Sequence, residues 1–246
     1  MSVKTYLIAL CAVLLSNIGY AEQVKLTSLE WPPYTSESLK EQGASVAVAK
    51  AAFEAMGHQL VIEFYPWKRA VYLAKEDPSY DGYFPEYFSE ELKKDFILSE
   101  PMGSGPLGFA ELKSNPITWN SLDDLKKFRV GVVGGYVNTA EFDDMVSKGQ
   151  LKASVASDDV KNILKLASGR SDLAVVDQNV LSFLLASDAS LKGAAPDIQF
   201  NGRLLEDKQL YICFKKGPKG EKISKIFNEG LTKIDVKAIM KKHLGN

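Results

Sequence analysis

The sequence predicts an α/β protein made of two units. Strand-like and helix-like segments alternate along almost the whole chain after residue 21. Short, continuous apolar runs such as Arg129–Val133 suit strands of a parallel sheet covered on both faces. The alternation pauses at Asn115-Pro116 and then begins again, which divides the chain into two stretches of the same kind.

In the first stretch, residues 24–29 alternate like a strand and run into Glu30-Trp31-Pro32-Pro33-Tyr34, which cannot continue one. Residues 45–56 carry Val46, Ala49 and Phe53 at helical steps, and Gly57 stops the helix. Residues 60–65 form the next strand, and Pro66 suits the first position of a helix running to about Lys75. A short strand over 80–84, a short helix over 89–94 and strands over 96–98 and 107–112 follow.

In the second stretch, Ser121-Leu122-Asp123-Asp124 has the spacing of a capping box. The strand Arg129–Val133 turns at Gly134-Gly135-Tyr136 into a helix from about Thr139. Residues 158–168 are helical, with Val160, Ile163, Leu164 and Ala167 on one face. Residues 173–176 are a strand ending in Asp177, and a helix occupies 178–186. The last strand covers 208–214, and helices over 219–234 and 236–243 close the chain. The strands at 106–112 and 208–214 are where the chain is expected to cross between units.

The first 21 residues read as a secretory signal peptide. Lys4 is the only charge, residues 7–15 are an apolar run, and Gly19-Tyr20-Ala21 offers small residues for cleavage after Ala21. Leu10 before Cys11 argues against a lipoprotein. The remaining 225 residues hold 29 basic and 31 acidic side chains. That balance gives no electrostatic footprint for nucleic acid or an anionic membrane. Cys213 is the one cysteine left, inside an apolar strand, so no intramolecular disulfide is expected. The two histidines, His58 and His243, lie at a helix-to-strand turn and in a last helical turn. No zinc spacing and no Ser/His or Cys/His pair appears, and no cofactor is implied. The doublets Asp123-Asp124, Asp143-Asp144 and Asp158-Asp159 fall at helix starts, where capping and the dipole explain them.

The chain resembles bacterial extracellular solute-binding proteins of family 3, the polar amino-acid branch of the type II periplasmic binding proteins. The resemblance rests on Trp31-Pro32-Pro33-Tyr34, Pro66-Trp67-Lys68-Arg69-Ala70, Tyr80-Asp81-Gly82, Leu98-Ser99-Glu100-Pro101, residues 122–133 followed by Gly134-Gly135-Tyr136, and Gly169-Arg170-Ser171-Asp172 leading to Val176-Asp177. It implies a two-lobed type II periplasmic binding protein fold. Each lobe is then a mostly parallel sheet with flanking helices, and two crossing strands join them. Residues 22–110 with 208–246 would form lobe 1, and 111–207 lobe 2. It further implies hinge closure on a small polar solute in the periplasm, a monomeric chain, and delivery to an inner-membrane ABC permease. A dehydratase-like enzyme on the same fold and a non-transport sensor are the alternatives.

Trp31 and Tyr34 follow a strand at the edge where open α/β sheets take ligands. They either pack on the solute or lid the lobe's own core. Trp67 and Arg69 open the next helix at the same edge. Arg69 either clamps a carboxylate or pairs on the surface with Glu63 or Glu76. Phe84 leads into Pro85-Glu86-Tyr87-Phe88, read as a loop in which Glu86 brings a negative charge to the cleft and the rings line it. The family's carboxylate-binding arginine is missing near Leu92 or Lys93. Tyr136 and Val137 stand where the family commonly has hydroxyl residues, with Asn138 and Thr139 just behind, although N–H groups at this helix start can hold an anion. Asp177 matches the position that binds a ligand amino group, and it is equally placed to cap the helix that follows.

Overall fold

The computed structural model describes residues 23–245. The expected signal peptide, its cleavage site and Cys11 lie outside the described residues.

Ten strands form two sheets that share hydrogen bonds along one strand. In the first, β1 (Gln23–Ser28) lies parallel between β2 (Gln59–Phe64) and β3 (Gly82–Tyr87). β4 (Phe96–Leu98) pairs with the last strand, β10 (Glu206–Lys215), which also runs antiparallel to β3. In the second, β6 (Arg129–Val133) lies parallel between β7 (Lys152–Ala156) and β8 (Leu173–Asp177). β5 (Ser104–Leu112) is antiparallel to β8 and carries β9 (Ile198–Phe200) on the other part of its length. The sheets meet where β5 and β10 pair antiparallel, Ser104 opposite Gln209 and Leu107 opposite Glu206. These are the two strands the sequence marks as crossings.

The helices are α1 (Ala44–Glu54), α2 (Trp67–Glu76), α3 (Ala140–Ser147), α4 (Asp159–Ala167), α5 (Gln178–Ser187), α6 (Pro218–Leu231) and α7 (Val236–Leu244). α1 and α6 pack over the first sheet through Phe53, Phe227 and Phe214, all fully buried. Phe109, Trp119 and Phe142 make the corresponding ring cluster of the second sheet. β8 is buried at every residue, as an apolar strand covered on both faces must be. Among the described residues no helix is long and apolar enough to cross a membrane.

Several motifs do structural work. Asp81 accepts from Lys25 N–H at 3.0 Å and pairs with Lys219 at 2.5 Å. Asp172 takes both the Arg129 guanidinium and its backbone N–H, tying β6 to the turn before β8. Ser121 N–H donates to Asp124 at 3.0 Å, closing the expected capping arrangement on a 3-10 turn over Leu122–Lys127.

Three local expectations are corrected, and one strand carries no sequence signal. Pro85, Glu86 and Tyr87 belong to β3 and not to a loop. The strand tolerates Pro85, which has no N–H to give, because the β3–β10 register shifts there. Pro66 caps α2 from outside with extended backbone (φ −54°, ψ 138°), so the helix starts at Trp67. Likewise Asp158 is the N-cap of α4, accepting from Lys161 N–H, and Asp159 is the first helical residue. The strand β7 carries no strong alternation in Lys152-Ala153-Ser154-Val155-Ala156, and among the described residues it is an edge strand that pairs only with β6.

Candidate functional site

The site is built at the ends of strands. The turn after β1 is closed by Trp31 and Thr35, whose backbones exchange hydrogen bonds (2.7 and 3.1 Å). It is stapled to the start of α1: Ala44 N–H donates to Pro33 O (3.0 Å) and Ser45 N–H to Tyr34 O (2.9 Å). Gly43 makes this approach possible. Its φ is +101°, and a Cβ there would sit 2.6 Å from Tyr34 O. The turn thus aims Trp31 and Tyr34 with little freedom. Their rings stack at 4.6 Å, and Tyr87 meets Trp31 edge-on at 5.9 Å.

Opposite them, β8 ends in Asp177, 1% exposed. Its carboxylate caps α5, accepting from Asn179 N–H (2.8 Å) and Val180 N–H (3.2 Å). The same carboxylate accepts from Tyr34 Oη (3.1 Å) and Tyr87 Oη (3.4 Å), which come from the other sheet. Asn179 Nδ2 donates back to Tyr34 Oη at 2.7 Å. Trp67 adds a second link, its indole N–H donating to Gly135 O at 2.9 Å. The two sheets are therefore latched across the cleft by side chains. Gly105 on β5 lies beneath the latch: any Cβ there would overlap Asp177 Oδ2 and Tyr34 Oη.

Between the latches lies a cavity of about 20 Å³, lined by Leu29, Trp31, Trp67, Pro85, Glu86, Tyr87, Tyr136, Val137 and Leu210. That is room for about one water molecule. The lobes must part for anything larger to enter.

Of the sequence-predicted residues, Trp31, Trp67, Glu86, Tyr136 and Val137 line this cavity, and Tyr34 and Asp177 form the latch beside it. Phe84 is fully buried in the core of the first sheet. Asn138 is engaged locally, its backbone N–H and its amide both donating to Asp143 (2.8 and 2.7 Å). The anion expected at the start of α3 is thus supplied by the chain itself. Arg69 stands apart: it is exposed, with its guanidinium 5.1 Å from the Tyr65 ring centroid. Phe88 is 38% exposed and packs near Tyr211.

Two charged residues were missed by sequence reasoning. Asp159 is 7% exposed and accepts from Tyr136 Oη at 3.1 Å. Because Asp158 takes the cap, Asp159 falls on the buried face of α4 with Asn162, Ile163 and Leu166. The steps 159, 162, 163 and 166 were a legible signal. Lys208, 5% exposed on β10, has its ammonium 5.6 Å from the Tyr87 ring and 3.5 Å from Glu206.

Burial dominates the electrostatics. It pushes Glu86 up to about 8, against relief from Tyr87 N–H, Tyr83 Oη and Lys208. It pushes Asp159 up to about 7, with Asp177 raising it further. Asp177 also rises to about 7, although two backbone N–H groups and two phenols oppose the rise. These folded-state values exceed the unfolded ones. The protonated forms therefore favour this folded conformation, and the stabilisation is lost as pH climbs from about 4 through 8. Carboxylates held low by partners, such as Glu63 at about 2 and Asp172, act in the opposite sense, but their contribution is complete once pH exceeds about 5. The melting temperature in the absence of added solute should fall steadily between pH 5 and pH 8.5. A flat or rising profile in differential scanning calorimetry would refute this.

No protein-family model matches the chain, and no curated protein matches it in sequence. Solved structures do match in shape. An ancestral arginine-binding protein bound to arginine superposes with a TM-score of 0.71 at 20% identity, over 90% of this chain and 96% of that one. A histidine kinase sensor domain similar to periplasmic binding proteins gives 0.77 at 18% identity, over 91% and 96%. The chain has the periplasmic binding protein fold. An amino acid ABC transporter substrate-binding protein from Streptococcus pneumoniae, bound to L-arginine, gives 0.72 at 16% identity over 91% and 94%. Within this fold, Asp177, Trp31 and Tyr34 stand at the strand ends facing the cleft between lobes, where open α/β sheets take ligands. A shared fold does not fix a shared ligand. That has to come from the residues of the cleft.

Proposed function

We propose that the chain is a solute-binding protein that encloses a small, positively charged solute between its lobes. The observation that carries this reading is Asp177: a carboxylate 1% exposed, at the lip of one lobe, contacted from the other lobe only by phenols. A buried carboxylate is best stabilised by a cation, and leaving one unpaired costs several kcal/mol. A ligand ammonium entering as the lobes part would replace the Tyr34 and Tyr87 hydroxyls. Trp31, Trp67 and Tyr136 would pack its apolar body and offer ring faces to its charge. Hinge motion would run through the paired β5 and β10.

In this reading the protein works in the periplasm after loss of residues 1–21. It hands the solute to an ABC permease, acts as a monomer and performs no chemistry on what it binds. The transporter proteins of this fold support the transport role. The sensor-domain neighbour supports a receptor role for the same cleft. A thermal-shift screen of monoamines, amino acids and organic acids tests the class of solute. A cation present at about 100 times its dissociation constant should add about 2.7 kcal/mol of stability. Stabilisation by organic acids, with none by any amine, would overturn the proposal.

A further inference from the structure

We infer that Trp31 selects the solute through its indole N–H, which donates to an oxygen acceptor carried close to the solute's cationic group. This rests on the cation reading above and adds a second requirement to it. The observation is an accounting of donors. Four side chains that line the cavity carry a hydroxyl or indole donor: Trp31, Trp67, Tyr87 and Tyr136. Three of them give it to the chain itself. Trp67 donates to Gly135 O (2.9 Å), Tyr87 to Asp177 Oδ2 (3.4 Å) and Tyr136 to Asp159 Oδ2 (3.1 Å). The Trp31 N–H is buried, in a residue only 6% exposed, and has no hydrogen-bond partner among the described residues. Buried donors in native proteins are nearly always paired, so a donor left over at a cavity wall marks a place where a ligand completes the bonding.

The chain is poorly placed to supply that acceptor. The turn that carries Trp31 is stapled to α1, and one face of its ring lies on Tyr34 at 4.6 Å. The N–H edge is therefore held in place. Asp159 stands close enough for the N–H to favour its ionised form, yet no hydrogen bond joins them, and its Oδ2 already accepts from Tyr136. The cavity that Trp31 lines, about 20 Å³, has room for about one oxygen the size of water. The stacked Tyr34 donates to Asp177 at 3.1 Å. The Trp31–Tyr34 pair thus runs from the N–H to the carboxylate that takes the cation, so one small solute can meet both. Neither Lys68 nor Lys208 lines the cavity, so the acceptor at Trp31 need not be an anion.

The test uses pairs of amines that differ in one acceptor: 2-methoxyethylamine against n-butylamine, 3-methoxypropylamine against n-pentylamine, and 4-methoxybutylamine against n-hexylamine. In each pair an ether oxygen replaces a methylene. It brings no charge for Lys68 or Lys208 and no donor for the acids. Without a donor to meet it, the ether should bind more weakly, because burying an unpaired polar atom costs free energy. Titration calorimetry of the intact chain at pH 8 should instead show at least one ether binding about fivefold tighter than its alkylamine, the worth of one hydrogen bond. Trp31→Phe keeps a ring against Tyr34 and removes the N–H. It should erase or reverse the preference for the ether, whatever it does to the affinity of both amines together. Replacing Trp31 with benzothienylalanine, which puts sulfur in place of the N–H, should do the same and covers the case in which phenylalanine disturbs the fold. Circular dichroism checks the folding of each variant. If no ether binds tighter than its alkylamine, or if the preference survives loss of the N–H, the role given to Trp31 is wrong and the cation reading stands. If neither series binds while another solute class does, both readings fall.

Discussion

Asp177→Asn should weaken binding of a cationic solute by about 2–5 kcal/mol, the range for truncating one side of a buried charge pair. The substitution is clean because asparagine remains a competent helix N-cap, so α5 keeps its acceptor for Asn179 and Val180. The phenols of Tyr34 and Tyr87 also keep an oxygen to donate to. What disappears is the charge. Because burial lifts Asp177 to about 7, the comparison belongs at pH 8, where the parent carboxylate is mostly ionised. Calorimetric titration gives the answer. Equal affinity in parent and variant, with unchanged melting, would reduce Asp177 to a helix cap.

Gly105→Ala should be the most damaging small change away from the ligand itself. The added methyl would overlap both Asp177 Oδ2 and Tyr34 Oη, so the latch cannot form in its present geometry. Forcing one methyl into a packed site costs about 1–3 kcal/mol, and here that cost falls on the closed conformation. A larger radius of gyration of the solute-free chain in small-angle scattering is expected, because the latch holds the closed form before a solute displaces it. Gly202→Ala is the control, since nothing lies within 4 Å of a Cβ there. If the two variants scatter alike without solute, the latch does not govern closure.

The fold was legible because its signals are local. Apolar runs such as residues 173–176, the cap at Ser121 and the stop at Gly57 each declare an element without help from distant contacts. The two crossing strands were also visible, as long apolar stretches at either end of the second unit. What the sequence hid depends on three-dimensional context. β7 is an edge strand with one partner and a weak pattern. β3 runs through Pro85 only because β10 shifts register opposite it. In the candidate site, the aromatic turn and Asp177 could be read from their positions at strand ends. Arg69 could not be placed, because one residue along a helix decides whether a side chain faces the cleft or, as here, the Tyr65 ring in solvent. Asp159 looked like half of a capping doublet until its neighbour took the cap. Lys208 is masked by the charged residues that precede it on β10.

A cleft lined by acids that burial keeps partly protonated must exchange protons for the cation it takes up. Titration of the chain with 1,4-diaminobutane and with n-butylamine at pH 6.5, repeated in buffers of different ionisation heat, counts those protons. Glu86, Asp159 and Asp177 rise to about 8, 7 and 7, so binding should release protons to the buffer and tighten as pH increases to 8. Binding of an amine with no proton release, or with proton uptake, would contradict the claim that this cleft recognises a cation through its buried carboxylates.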